Sequence, residues 1–195
     1  MIRAYRPGDL DRLYEICLRT GDAGNDAFDL VEDKQLYGHI WAAQYGLLAP
    51  EHAFVICGDD DVAGGYVLGV LDTKAFEAKC DAEYWPQLQA QYPEGSGSGL
   101  DAMLIGMIHK PTHMPSAITN DYPSHLHIDL LPPFQGNGNG RRMMETVTES
   151  LRAAGSTGLH FGVSAKNTRA LGFYEHLGFE PLHVNDFVHL LGTRF

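Results

Sequence analysis

Three side chains that can accept protons, His125, His127 and Asp129, alternate with leucine and isoleucine between residues 124 and 130. In a strand, this alternation places all three on one side. An imidazole with a pKa of about 6.5 takes a proton more readily than a carboxylate with a pKa of about 3.9. His127 is therefore the candidate general base, and Asp129 is the group that orients it or attracts a cation. The alternatives are histidines on a sheet surface and a structural acceptor at Asp129.

The spacing His125-x-His127 could also begin a metal site, but no cysteine or further acid follows at a spacing typical of metal ligands. We therefore expect no metal. The chain has three cysteines, Cys17, Cys57 and Cys80, which are odd in number and far apart. This pattern argues against a disulfide framework or a thiolate metal cage and favours a cytoplasmic, reducing location.

A glycine-rich turn follows the alternating segment and reads Gln135-Gly136-Asn137-Gly138-Asn139-Gly140-Arg141. Glycines let the backbone adopt positive φ and bring N–H groups close to an anion, and the start of a helix adds its positive dipole end. A pyrophosphate would fit such a turn, and an ordinary flexible loop is the alternative. Two nucleotide motifs are excluded, because a dinucleotide fingerprint needs glycine or alanine at Arg141 and a Walker-type loop needs Lys and Ser or Thr at 142 and 143.

The charge of the chain is uneven. The net charge is -11 overall, yet residues 135–170 contain five basic and two acidic residues. This local excess of positive charge suits an anionic cofactor, or is an ordinary basic helix surface. The acidic remainder disfavours nucleic acid as a partner, and the lack of any long apolar run disfavours a membrane span and a secretion signal.

Hydrophobic periodicity predicts the elements that position these groups. Strands are expected over 2–5, 53–57, 62–71, 124–131, 159–165 and 188–191, and helices over 10–18, 36–48, 74–91, 141–154 and 167–177. Alternating strands and helices imply an α/β or α+β fold. We expect one domain over residues 1–195, with residues 72–120 as a lid-like insertion, although the Gly/Ser run at 95–99 could instead mark a domain boundary.

A second motif begins at Asn167 and ends at Phe179, with Tyr174 between them. Asn167 suits a helix N-cap, and Gly178 followed by Phe179 suits a left-handed helix stop with its hydrophobic contact. Asn167 and Tyr174 are seven residues apart, so they lie on nearly the same helical face. Tyr174 could instead be a core aromatic, and Asn167 only a cap.

Together, the pattern Gln135-x-x-Gly138-x-Gly140 and the later Asn-x-x-Ala-x-x-Phe-Tyr-x-x-x-Gly-Phe pattern from Asn167 resemble the GNAT-type N-acetyltransferases. The segments 84–93 and 122–133 are further similar to the acetyltransferase-like C-terminal domain of animal O-GlcNAc hydrolases and its free-standing bacterial relatives. The resemblance implies a mixed, mainly antiparallel sheet flanked by helices, with a bulge in the fourth strand that could switch the facing of its side chains.

The resemblance also implies the site. Acetyl-CoA is the expected cosubstrate, bound by Asn167, by Tyr174, by the backbone at Ile128 and Leu130, and by the turn residues Gln135, Gly136, Asn137, Gly138, Asn139, Gly140 and Arg141. Tyr174 takes the place of the acid that protonates the departing thiolate. His109, His113 and Cys80 could touch an acceptor but are more simply surface residues.

The expected function is direct acetyl transfer to an amine, on a small molecule or peptide, because no cysteine is placed to carry an acetyl-enzyme. Two alternatives remain: an acetyl-CoA-binding pseudoenzyme that serves as a sensor or interaction module, and an acyltransferase for a longer acyl group or a hydroxyl acceptor. The acceptor and the oligomeric state are left open.

Overall fold

The computed structural model describes residues 1–195 and has one seven-stranded sheet with helices on both faces. Its strands are β1 (Ile2–Ala4), β2 (His52–Cys57), β3 (Ala63–Val70), β4 (Ser124–Leu130), β5 (Gly158–Ser164), β6 (Glu180–Val184) and β7 (Val188–Arg194). They are ordered β1-β2-β3-β4-β5-β7-β6. Only β4 and β5 pair in parallel; all other neighbours are antiparallel. The predicted mixed, mainly antiparallel sheet is confirmed.

Nine α-helices surround the sheet: α1 (Leu10–Thr20), α2 (Leu36–Trp41), α3 (Ala43–Leu48), α4 (Thr73–Lys79), α5 (Trp85–Gln91), α6 (Gly99–His109), α7 (Ser116–Thr119), α8 (Asn139–Ala153) and α9 (Thr168–His176). The predicted helix over 36–48 is two helices, because the backbone leaves the helical region at Ala42 (φ -134°). None of the helices has the length and apolar content needed to cross a bilayer.

Two hydrophobic clusters cover the two faces of the sheet. The first contains buried side chains of α1, such as Leu13, Ile16 and Cys17, at the spacing of one helical face. The second lies under α8 and α9 and includes Met143 and Val147. All three cysteines are buried and unpaired.

The predicted insertion contributes to the first cluster. Phe76, Tyr84, Leu88, Leu104 and Ile108 pack there with residues of α1 to α3. The insertion therefore shares a core with the N-terminal helices and packs on the same face of the sheet as α1.

Three local predictions need correction. The interruption in the predicted helix over 74–91 is a π-helical turn at Cys80–Tyr84, and Pro86 lies in the first turn of α5, where its missing N–H costs nothing. The closing strand continues beyond residue 191 to Arg194. Strand β6 was not predicted, because its sequence Glu180-Pro-Leu-His-Val is mostly exposed and contains a proline.

Candidate functional site

Strands β4 and β5 separate soon after they begin. They pair only at Ser124 with Leu159 and at His125 with His160. On the other edge of β4, the Leu131 N–H donates to the Gly64 carbonyl of β3 at 2.9 Å. The backbone groups of successive strand residues point to opposite edges, so every second residue before Leu131 also faces β3. Ile128 is three residues before Leu131, and its N–H and C=O therefore point away from β3. The backbone groups of Ile128 thus face an opening in the sheet.

The predicted backbone position Leu130 has the same orientation but a different environment. Its carbonyl accepts a hydrogen bond from Gln135 Nε2 at 2.8 Å. The Leu130 N–H has no such partner. Of the two predicted backbone positions, Ile128 therefore offers both a donor and an acceptor to the opening, and Leu130 offers a donor.

The polar side chains of β4 share one face. His125, His127 and Asp129 point toward α1 and the insertion, whereas Leu126, Ile128 and Leu130 belong to the cluster under α8. The bulge expected in this strand is absent, because the β3–β4 register runs without a shift from Val70–His125 to Gly65–Leu130. The facing of the side chains therefore does not switch.

His127 and Asp129 meet on this face. His127 Nε2 lies 2.9 Å from Asp129 Oδ2, the distance of an ion pair, but the direction does not suit a hydrogen bond and Nε2 is buried without a hydrogen-bond partner. The Tyr66 hydroxyl donates to the same Oδ2 at 2.6 Å. Burial raises the pKa of Tyr66 far above its usual value, with Asp129 adding to the effect, so the phenol keeps the proton it donates.

Cys17 on α1 completes the cluster. Its sulfur, a His127 nitrogen and an Asp129 oxygen all lie within 4.8 Å of one another. Cys17 is distant in sequence, so no local spacing could reveal it. Burial raises the pKa of its thiol well above neutral, and the thiol points to the Tyr37 carbonyl at 3.4 Å. It is therefore present as a neutral thiol, which is a poor nucleophile.

His125 donates a hydrogen bond at the base of this face. The Thr73 hydroxyl donates to the Pro123 carbonyl at 2.7 Å, so it must accept from His125 Nδ1, 2.9 Å away. His125 Nε2 is then left with a lone pair. Burial lowers the pKa of His125 to about 3, with His160 and His127 adding to the effect, so the ring is neutral at physiological pH and is not the base.

A cavity of about 660 Å³ connects both faces of the sheet through the opening. It is lined on one side by α1 to α4 and the insertion and on the other by β5 and α9. Five of the predicted site residues line it: His127, Ile128, Asp129, Asn167 and Tyr174. Leu130 and the turn 135–141 lie outside it. No lysine or arginine lines the cavity.

Tyr174 lies on the α9 side of the cavity. Its ring packs against Phe161 at 4.6 Å between centroids and against Phe179 at 6.0 Å. Its hydroxyl makes no hydrogen bond within the protein, so it is free to meet a ligand. Burial raises the pKa of this phenol, and the charge of Asp129 adds to the effect. Tyr174 is therefore a hydrogen-bond donor rather than a ready source of a full proton.

The glycine-rich turn forms the N-terminus of α8, two residues earlier than predicted. Gly136 (φ +78°), Asn137 (φ +50°) and Gly138 (φ +73°) are left-handed in succession, and Gly138 is the N-cap. The N–H groups of Asn137, Gly138, Gly140 and Arg141 donate to no protein acceptor. Backbone donors clustered at the positive end of a helix are suited to an anion.

Side chains brace this turn. The Gln135 amide makes two hydrogen bonds: Nε2 donates to the Leu130 carbonyl, and Oε1 accepts from Arg169 Nη1 at 2.7 Å. Asn139 Nδ2 donates to the Phe134 carbonyl at 2.9 Å. These side chains are committed to the protein, and Arg141 Nη1 lies 3.9 Å from Glu145 Oε1, so the free backbone N–H groups remain for an anion.

Asn167 begins α9. Its Oδ1 accepts from the Ala170 N–H at 3.1 Å, which is the geometry of an N-cap. At the other end of α9, Gly178 is left-handed (φ +84°) and the Phe179 N–H donates to the Tyr174 carbonyl at 3.1 Å. The side chain of Asn167 also lines the cavity.

The sequence matches a known protein family. A sequence profile of the Acetyltransferase (GNAT) family matches residues 10–179. Protein O-GlcNAcase of Rattus norvegicus is 27% identical over 186 residues, which cover 91% of this chain and 20% of that protein. The chain thus spans about a fifth of the length of that protein. Mycothiol acetyltransferase of Beutenbergia cavernae is 28% identical over 171 residues, covering 86% of this chain and 54% of that protein.

A solved structure is similar over the whole chain. The crystal structure of SsHAT superimposes with a TM-score of 0.93 at 38% identity, covering 100% of this chain and 97% of that one.

Proposed function

The chain belongs to the acetyltransferase (GNAT) family, and we propose that it transfers the acetyl group of acetyl-CoA directly to an amine. One observation carries the proposal: a single cavity joins the free edge of β4 at Ile128 to the paired His127 and Asp129 side chains. We also propose that residues 1–195 act as one domain, since the insertion shares its core with α1 to α3.

The chain's own groups would hold acetyl-CoA, which supplies the acetyl group. The Ile128 N–H and C=O and the Leu130 N–H face the opening, where an extended, amide-containing arm could extend the ladder of β4. The free N–H groups of Asn137, Gly138, Gly140 and Arg141 suit the pyrophosphate.

His127 is the proposed base. An imidazole is in general a stronger base than a carboxylate, so it takes the proton of an alkylammonium at a lower cost in free energy. The position of Asp129, 2.9 Å from His127 Nε2, lets its negative charge stabilise the imidazolium once it forms. Asp129 also attracts the cationic form of the amine into the site.

Tyr174 is proposed to donate a hydrogen bond to the sulfur as it leaves. Its raised pKa makes complete proton transfer to a thiolate with a pKa of about 8.5 unfavourable. Its contribution is therefore smaller than that of the base. Direct transfer is favoured over an acetyl-enzyme, because Cys17, whose sulfur lies within 4.8 Å of the His127 and Asp129 atoms, is held as a neutral thiol.

The test is to incubate the protein with acetyl-CoA and a panel of amines, measuring free CoA and the acetylated product. Amine-dependent CoA release with matching product supports the proposal, as does an unmodified intact protein mass when no amine is added. A stable acetyl-protein that passes its group to amine would refute direct transfer. Acetyl-CoA binding without product from any amine or alcohol would instead indicate a binding module.

A further inference from the structure

The part of the cavity beneath the insertion has aromatic walls. Tyr45 and Phe76 pack at 5.0 Å between ring centroids, and each lies 5.5 Å from the His125 ring. Trp41 and Trp85 line the same cavity. Flat apolar walls of this kind pack well against a ligand that contains an aromatic ring.

The charged side chains of this region are two carboxylates. Asp129 and Glu77 are the carboxylates that line the cavity, and the absence of lysine and arginine leaves them without a cationic side chain there. His113, a further titratable group on the wall, is paired with Asp81 at 2.9 Å. An ammonium is therefore attracted to this cavity, and a carboxylate or phosphate is repelled.

A buried oxygen without a partner supports the same conclusion. Gln44 is 5% exposed, and its Nε2 donates to the Ile40 carbonyl at 2.6 Å. That bond identifies the other amide atom as Oε1, which accepts from nothing in the protein. An unsatisfied buried acceptor is costly, and Gln44 is among the residues that line the cavity, so a rotation of its side chain would bring this oxygen to a hydrogen-bond donor on a ligand.

From these observations we propose that the acceptor is an arylalkylamine: a compact primary amine with an aromatic body and no anionic group. This inference rests on the proposed acetyl transfer and names its substrate class. Its ammonium lies near Asp129 and its ring lies among Tyr45, Phe76, Trp41 and Trp85. The same walls disfavour a polyamine, because its extra ammonium groups would lose water among apolar rings.

The first test uses the wild-type protein and three amines, with kcat/KM as the readout. Phenylethylamine and phenylalanine differ by one carboxylate, and spermidine replaces the ring with further charge. We expect phenylethylamine to exceed both by at least about tenfold, the size of a difference of about 1.4 kcal/mol. Equal or better use of phenylalanine or spermidine would overturn the proposal.

The second test changes one wall. Trp41→Leu should raise the KM for phenylethylamine about tenfold and leave the acetyl-CoA dissociation constant unchanged, while Trp41→Phe, the matched control, should retain a KM near that of the wild type. An unchanged KM in Trp41→Leu would count against the aromatic site. If acetyl-CoA itself does not bind the wild-type protein, the proposed function fails; if it binds but phenylethylamine is not preferred, only the substrate class fails.

Discussion

The Tyr66 hydroxyl on β3 donates to Asp129 Oδ2 on β4 at 2.6 Å. The two residues are opposite each other in the antiparallel register, so the sheet itself holds the carboxylate in place. His127 is two residues earlier on the same strand face and places Nε2 2.9 Å from the same oxygen. This arrangement underlies the acid-base proposal.

Removing either member of the pair should lower turnover without affecting the binding of acetyl-CoA. We expect His127→Ala and Asp129→Asn to reduce kcat by about 10- to 1,000-fold, the range of a positioned general base and its partner. Steady-state kinetics and calorimetry on each variant provide the comparison. His183→Ala, at an exposed position of β6, is the matched control. Full activity in both variants would rule out these residues as the acid-base pair.

Tyr174→Phe should cause a smaller loss of kcat, about tenfold or less. Burial has raised the pKa of this phenol, so it stabilises the leaving sulfur by a hydrogen bond and not by complete proton transfer. The loss should shrink further as the pH rises above about 8.5, where free thiolate is the stable leaving form. A loss that grows with pH, measured as the ratio of wild-type to variant kcat, would contradict this role.

The N-terminus of α8 can be tested by a matched pair of glycines. Gly138 (φ +73°) precedes α8 and Gly155 (φ +94°) follows it, so alanine at either position costs about 1–2 kcal/mol of backbone strain. Only Gly138→Ala should weaken acetyl-CoA binding, by about tenfold or more, because the free N–H groups lie in its turn. Similar dissociation constants for the two variants would mean that the turn does not bind the cofactor.

The sequence predicted those parts of the site that local patterns determine. The alternation of His125, His127 and Asp129 follows from the period of a strand, and the cap at Asn167 from helix chemistry. Tyr66 and Gln44 were missed, because their proximity to β4 depends on strand register and helix packing that no local pattern encodes. The expected bulge in β4 was wrong, because it came from a family resemblance and this chain keeps a regular register.

His125 should make stability depend on pH in a defined direction. Because folding lowers its pKa to about 3, the unfolded chain binds more protons below about pH 6.5, and stability is lost as the pH falls from there toward 3. Between pH 7 and pH 4.5 this residue accounts for a loss of about 2 to 3 kcal/mol in the free energy of unfolding. We expect the free energy of urea unfolding to fall less in His125→Gln than in the wild type over this pH interval, by about 2 to 3 kcal/mol. An equal loss would contradict the buried neutral imidazole.

The opening between β4 and β5 and the turn before α8 are proposed to bind acetyl-CoA together. Calorimetric titration of the wild-type protein with acetyl-CoA tests this proposal most directly. We expect saturable binding at one site per chain, with a stabilisation of about 2.7 kcal/mol when the ligand is at 100 times its dissociation constant. The absence of both a heat of binding and thermal stabilisation at millimolar acetyl-CoA would contradict this binding.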